Sequence, residues 1–313
     1  MKKALIVGCD GQDGTYLTRY LQKKHYRVIG IGRNGIRSGN GGHLKPINIL
    51  KSKAVLDLLA QHTPDEIYYL AAYHHSSQDR KENDAVLFQK SFDVHVHGLI
   101  HFLDGMRAHC PKARLFYAAS SHIFGNPPGR VQNEKTPLAP VCIYGITKTA
   151  GVQTCRFYRR EYGLSASVGI LYNHESPLRA DKFVSQKIVK TAIAIRKGKQ
   201  KELVLGNLNA VIDWGFAGDY VEAMHRMLSL PSGDDFIIAS GKAHTVKEFV
   251  EGVFKRLKLD WAQYVREDAS VIQKKHQCHW QGDPSKIKRM TGWSPKTDLS
   301  KLIALMVDAG VKE

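Results

Sequence analysis

The chain has 313 residues, with 46 Lys and Arg against 29 Asp and Glu, giving a formal charge of +17 and a pI near 9.6. Such a length buries a sizeable core in one or two domains, and 43% hydrophobic with 24% charged residues excludes a disordered or fibrous chain. No apolar run approaches the roughly 18 residues of a membrane span, and Met1-Lys2-Lys3 leads into a strand-like run rather than a signal peptide, so a cytoplasmic protein with no membrane partner is expected.

In chain order, Ala4 to Val7 reads as a buried parallel strand, followed by a glycine-rich turn and a helical pattern from Thr15 to Lys24. Val28 to Ile31, Ile67 to Leu70, Arg114 to Tyr117 and Ala166 to Leu171 read as further strands, with helix-length stretches at 53–62, 92–108 and 144–161 between them. Strand and helix alternate at the spacing of βαβ units, which places helices on both faces of a parallel sheet. Past residue 172 the pattern becomes irregular, and Phe216 to Leu228 and Phe236 to Ala239 look as if they return to the sheet. The expected fold is α/β: a Rossmann-type doubly wound parallel sheet with a smaller, interleaved C-terminal α/β substrate domain. Residues 1–172, rejoined by 213–240, would bind a dinucleotide, and the remainder of 173–313 a substrate.

Gly8, Gly11 and Gly14 form GxxGxxG between the first strand and helix, where a tight turn lets the backbone approach a pyrophosphate at the helix N-terminus. At the end of the second strand stand Gly32-Arg33-Asn34, with Arg37 and Ser38 close behind. An arginine where a carboxylate would read the ribose of NAD suits the 2′-phosphate of NADP, with NAD the alternative. Tyr144 and Lys148 are four residues apart on one helix face, where an ammonium can lower a phenol pKa and leave tyrosine able to exchange a proton with a carbinol oxygen. Ser120 and Ser121 end a strand two dozen residues earlier and offer a hydroxyl to the same oxygen.

The positive charge is concentrated. Residues 1–60 hold 11 basic and 3 acidic side chains, and residues 182–201 hold seven basic and none acidic, so the two segments carry 15 of the 17 excess charges. They read as two anion sites. The competing reading is a non-catalytic nucleotide-binding or nucleic-acid-binding protein, but no helix-turn-helix, zinc-finger or RNA-binding signature is present. His97 and His101 have the spacing of a helical ligand pair, and His276, Cys278 and His279 make a loose cluster, but neither has the partners of a metal site, and none is expected. Cys9, Cys110, Cys142, Cys155 and Cys278 are odd in number and scattered, unlike a disulfide framework.

With these residues assembled, the chain resembles the extended short-chain dehydrogenase/reductase superfamily and, within it, the GDP-mannose 4,6-dehydratase family. The runs that carry the resemblance are Gly11 to Gly14, Asp65 to Tyr68, Leu70 to Ala72, Tyr144 to Lys148, Gly169 to Pro177, Leu205 to Leu208, Asp213 to Gly215, Asp219 to Met224 and Gly282 to Lys286. The Asn-His-Glu-Ser-Pro run at 173–177 is far more specific than the glycine turn. The resemblance implies C4 oxidation of a nucleotide-activated hexose, elimination of water across C5 and C6, and return of the hydride to C6. It implies that Ser120 bonds O4, that Tyr144 is the base and that Lys148 is its electrostatic partner. Gly8, Gly11, Gln12, Asp13, Gly14, Arg33, Asn48, Ile49, Leu70, Ala71, Ala72, His174 and Arg179 would border the cofactor. Ser120, Ser121, Asn173, Val184, Lys187 and Asn207 would line the sugar nucleotide, and a homodimer or homotetramer is implied.

The chain departs from that family at ligand-facing positions. The family's Ser/Thr-Ser-Glu triplet reads Ser120-Ser121-His122, so a histidine stands where a glutamate acts on C5 and O6. Histidine does acid/base work near pH 7, which leaves open both elimination and a simple C4 dehydrogenase or 4-ketoreductase. Val211-Ile212 replace an arginine before Asp213, Gln273 to His276 replace an Arg-Pro-x-Glu run, Asn48 replaces an acidic residue and His95 replaces Asn or Asp.

Overall fold

The computed structural model describes residues 1–32, 35–38, 43–44, 47–74, 82–271 and 280–312, the short runs 35–38 and 43–44 and residue 271 by their backbone alone. The main sheet comprises β1 (Lys3–Val7), β2 (Arg27–Gly32), β3 (Gly35–Ser38), β4 (His43–Leu44), β5 (Glu66–Tyr69), β6 (Arg114–Ser120), then, after a two-residue β7 (Val131–Gln132), β8 (Ser165–Leu171). After β9 (Asn173–Glu175), β10 (Leu203–Leu205) and β11 (Val211–Phe216), β12 (Asp235–Ile238) completes the sheet, in the order β12-β8-β6-β5-β1-β2-β3-β4. The first six of these run parallel, and β3 and β4 add antiparallel at the edge. The parallel strands are apolar nearly throughout, as strands covered on both faces must be. β12 pairs with β8, and the stretch from Phe216 to Leu228 returns as a helix packed on the sheet rather than as a strand.

The helices are α1 (Gln12–Lys23), α2 (Ser52–His62), α3 (Asp84–Phe92), α4 (Gly98–His109), α5 (Ile143–Tyr162), α6 (Val184–Arg196), α7 (Ala217–Met227), α8 (Val246–Arg256), α9 (Ser285–Thr291) and α10 (Leu299–Lys312). One face of the sheet packs against α2, α4 and α5 through Leu59, Leu99, Phe102, Met106 and Val152. The other packs against α1, α7 and α9 through Leu17, Leu21, Met224 and Ile287. A separate core of Ile188, Trp214, Phe249, Val253 and Met306 lies between α6, α8 and α10. It sits beside a three-stranded sheet of β9, β11 and β13 (Ala243–Thr245), with β14 (Val265–Glu267) on β10 and β15 (Gln281–Gly282) on β7.

The single helix expected over 92–108 is instead α3 and α4 joined by a π-helical turn, Asp93–His97. Within it the Tyr69 hydroxyl donates to the Val94 carbonyl at 2.6 Å, and the Tyr117 hydroxyl to that of His95 at 3.3 Å. The extra residue in the turn rotates His95 into the protein, where it is fully buried.

Candidate active site

The chain reverses its direction of sheet growth at β1: β2 lies on one side and β5 on the other. Ligands of open α/β sheets bind beyond the strand ends at such a switch point. Gly8 follows β1 with φ +96°, and a Cβ there would lie 2.9 Å from the Ala71 nitrogen, so the turns after β1 and β5 touch only because residue 8 is glycine. At Gly14 a Cβ would come within 2.4 Å of the Gly8 carbonyl. The three glycines thus fold a tight turn onto the N-terminus of α1, as expected. Leu70 and Ala71 border it from the loop after β5, and Asp10 adds a carboxylate that occupies the space beside Gly32 at the tip of β2.

Behind the turn, Gln12 and Asp13 reach across to β9. The Gln12 amide donates to the His174 carbonyl at 3.0 Å and accepts from the Ser176 hydroxyl at 2.7 Å. His174 has a carbonyl on Nδ1, that of Tyr172 at 2.8 Å, and the Asp13 carboxylate on Nε2 at 2.9 Å, so both ring nitrogens are donors and the ring is an imidazolium. Burial opposes both charges, but their mutual attraction and hydrogen bond outweigh it: His174 is held above its ordinary pKa and Asp13 below its own. Arg179 pairs with buried Glu175 at 3.0 Å and lies over the Phe183 ring.

Tyr144 and Lys148 lie on the first turns of α5, against the C-terminal end of β6. Lys148 is 1% exposed; its ammonium donates to the Ala118 carbonyl at 2.7 Å and lies 5.7 Å from the Tyr144 ring centre. Burial pulls its pKa down to about 7. Burial likewise raises the Tyr144 phenol, opposed by the positive charge of Arg179, so Tyr144 carries its proton at neutral pH. Ser120 ends β6 and caps the following 3-10 turn, its hydroxyl accepting from the His122 amide at 3.3 Å, while Ser121 is buried.

Three imidazoles stand edge-on to Tyr144, with ring centres at 5.1 Å for His74, 5.3 Å for His95 and 5.8 Å for His122. His95 Nε2 accepts the Tyr73 amide at 3.0 Å, which leaves the proton on Nδ1 to donate to Thr147 Oγ1 at 2.8 Å. Burial takes its pKa down to about 2, so it is a neutral clamp between the loop after β5 and the helix of Tyr144 and Lys148. His122 packs edge-on against Trp280 at 4.6 Å, and its Nδ1 is 3.8 Å from Cys142 Sγ.

The other residues expected at the site are spread over several elements. Asn173 is half-buried on β9 beside Trp214, and Val184 starts α6. Lys187 on α6 donates to the Val204 carbonyl at 3.1 Å, and Asn207 accepts the Asn209 amide at 2.8 Å. Asn48 is exposed and accepts the Leu50 amide at 2.9 Å, with Ile49 packed on the core. Arg33, His276, Cys278 and His279 fall outside the described residues, as do the side chains of Arg37 and Ser38. His97 and His101 face different partners, Asp93 at 3.0 Å and the Ile49 carbonyl at 2.9 Å. Sequence reasoning singled out neither His74 nor Trp280, and met Cys142 only as a scattered cysteine; the position of Cys142 two residues before Tyr144 was the available signal. A cavity of about 750 Å³ opens elsewhere, between α8 and residues 295–300, and shares no lining residue with this site.

A family model described as GDP-mannose 4,6 dehydratase matches residues 5–306. The chain is 38% identical over 327 residues to GDP-mannose 4,6 dehydratase 2 of Arabidopsis thaliana, covering 98% of this chain and 86% of that one. It is 33% identical over 349 residues to the GDP-mannose 4,6 dehydratase of Drosophila melanogaster, covering 99% and 86%. Among solved structures, RMD from Pseudomonas aeruginosa complexed with NADPH superimposes with TM-score 0.84 at 17% identity, covering 100% of this chain and 99% of that one. The dTDP-glucose 4,6-dehydratase of Bacillus anthracis in complex with NAD does so with TM-score 0.84 at 18% identity, covering 100% and 97%. At these identities the two structures bear on the fold alone.

Proposed function

Because the chain belongs to the GDP-mannose 4,6-dehydratase family, we propose that it oxidises a GDP-hexose at C4 and eliminates water across C5 and C6, with GDP-mannose or a close relative as substrate. The observation that supports this most is the convergence of Ser120, His122, Tyr144 and buried Lys148 at the end of β6, next to the glycine turn.

The turn fits a dinucleotide: Gly8 and Gly14 let the chain close tightly on its own backbone, and Gly11 caps α1 where a pyrophosphate would approach. NADP, when bound, would supply the reversible hydride acceptor that this chemistry needs. Gly8, Gly11, Gln12, Asp13 and Gly14 would hold it on one side, with Leu70, Ala71, Ala72, His174 and Arg179 on the other. Arg33 supports NADP, while the Asp10 carboxylate at the tip of β2 favours the free 2′-hydroxyl of NAD as the second reading; titrating both cofactors against the protein's fluorescence decides between them.

Tyr144, once its own phenolic proton has passed to solvent, takes the O4 proton, with a protonated Lys148 offsetting the charge on the phenolate, and Ser120 holds O4. His122 removes the C5 proton and hands it to O6, which departs as water. Asn173, Val184, Lys187 and Asn207 would line the sugar nucleotide. In domain terms, residues 1–172 with 213–240 serve the cofactor and the remainder of 173–313 the sugar nucleotide. A cytoplasmic homodimer or homotetramer fits the family, and the exposed Val86, Ile146, Phe157 and Tyr162 on α3 and α5 support an interface there. Incubation with GDP-mannose and NADP tests the activity. A 4-keto-6-deoxy product without net NADPH is expected, stoichiometric NADPH would indicate a C4 dehydrogenase, and no reaction would remove the substrate assignment.

A further inference from the structure

We infer that Cys142 is the positioning residue for His122, accepting its Nδ1–H so that Nε2 is the nitrogen that works on the sugar. This rests on the reading above that His122 carries out the elimination. Cys142 is the N-cap of α5, and its sulfur accepts the Gly145 amide at 3.4 Å. The same sulfur lies 3.8 Å from His122 Nδ1. The approach depends on residue 145, where a Cβ would come within 2.5 Å of the His122 carbonyl. Glycine therefore lets the first turn of α5 close onto the turn that carries His122. Trp280 packs edge-on against the ring at 4.6 Å and is itself tied to the Gly125 carbonyl by its indole N–H at 3.2 Å.

A base for C5 must present an unprotonated nitrogen, and which nitrogen that is depends on the hydrogen bond made by the other. With Nδ1–H donating to sulfur, Nε2 carries the lone pair. It takes the C5 proton as the C5–H electron pair forms the C5=C6 bond and the C6–O6 bond breaks. The same Nε2–H protonates O6 as that bond breaks, so that O6 leaves as water and the ring returns to its starting state. Throughout, Nδ1–H stays on the sulfur. A thiol is a weak acceptor, so it orients the ring without fixing a full positive charge there as a carboxylate would. One histidine can then serve as base and acid in turn, the two tasks that the family assigns to glutamate.

The test uses the holoenzyme of three variants, Cys142→Ala, Cys142→Ser and His122→Ala, in single turnover with GDP-mannose. Absorbance at 340 nm follows C4 oxidation, and loss of the C5 hydrogen into D₂O follows elimination. Cys142→Ala is expected to slow elimination relative to C4 oxidation by about 10-fold or more, within the range of general acid–base effects. NADPH should then accumulate transiently, and Cys142→Ser, which keeps a cap and an acceptor, should recover most of the loss. ¹⁵N NMR of His122 should show Nδ1 protonated in the wild type and a shifted tautomer balance in Cys142→Ala. A pure helix cap would lower the melting temperature of Cys142→Ala and leave both the partition and the ¹⁵N signals in place, which would overturn the proposal. If the wild type itself makes NADPH without elimination, the dehydratase reading falls while the ¹⁵N comparison still decides whether Cys142 sets the tautomer.

Discussion

At the scale of single residues, Lys148 shows how burial sets chemistry. Its ordinary pKa of 10.5 falls to about 7, so between those values the unfolded chain holds a proton that the folded one has released. Folding then becomes more favourable as pH rises from about 7 toward 10.5. In urea unfolding without ligands, the stability of wild type relative to Lys148→Met should rise across that window by roughly 1.4 kcal/mol per pH unit at most; a flat difference would mean that the lysine is already solvated. Tyr144→Phe should lower kcat by about 10²–10⁴-fold with little change in the binding of the sugar nucleotide, because it removes a proton transfer and leaves the ring in place. These two residues were legible in the sequence because their relation is local, one turn of one helix. His95 was visible only as an odd residue. Its role depends on a π-helical turn and on the Tyr73 amide 22 positions away, which periodicity does not encode. His95→Ala would orphan that amide and leave a cavity, while the Thr147 hydroxyl keeps the Ile143 and Tyr144 carbonyls; a loss of about 2–4 kcal/mol in unfolding free energy is expected.

At the scale of elements, the link between α1 and β9 joins the glycine turn to the small sheet. The ion pair of Asp13 and His174 has its own pH window. A carboxylate depressed in the folded state contributes stability above its unfolded pKa of 3.8, and an imidazole raised in the folded state contributes below its unfolded pKa of 6.5. Both contributions are complete between those values, and the imidazole's is lost as pH climbs through its folded pKa. Asp13→Asn should therefore cost roughly 1.5–3 kcal/mol near pH 6 and clearly less near pH 9, as measured by denaturant unfolding. Equal costs at both pH values would show that His174 does not titrate between them. The parallel strands were legible as short apolar runs bounded by turns, because a strand covered on both faces admits little else. Helix α7 was placed correctly against the sheet region, but apolar spacing alone did not show that it packs on α1 instead of joining the strands.

At the scale of the whole molecule, the charge excess looks smaller than its sum. The window 182–201 stops one residue short of Asp181, which pairs with Lys190 at 2.6 Å. Lys182 and Lys187 each hold a backbone carbonyl, of His74 and Val204, while Lys197 and Lys199 are exposed, as their positions on a helix end suggested. Among the described residues, no helix is long and apolar enough to cross a membrane. If α3 and α5 form the subunit interface, Phe157→Lys should shift the mass measured by light scattering toward the monomer. The central claim is that a dehydratase survives the exchange of glutamate for His122. It is tested most directly by turning over GDP-mannose deuterated at C4 and locating the label by mass spectrometry. An intact dehydratase returns the label to C6 of a 4-keto-6-deoxy product. Label found on the cofactor, with C6 still hydroxylated, would contradict that claim and leave a C4 dehydrogenase in its place.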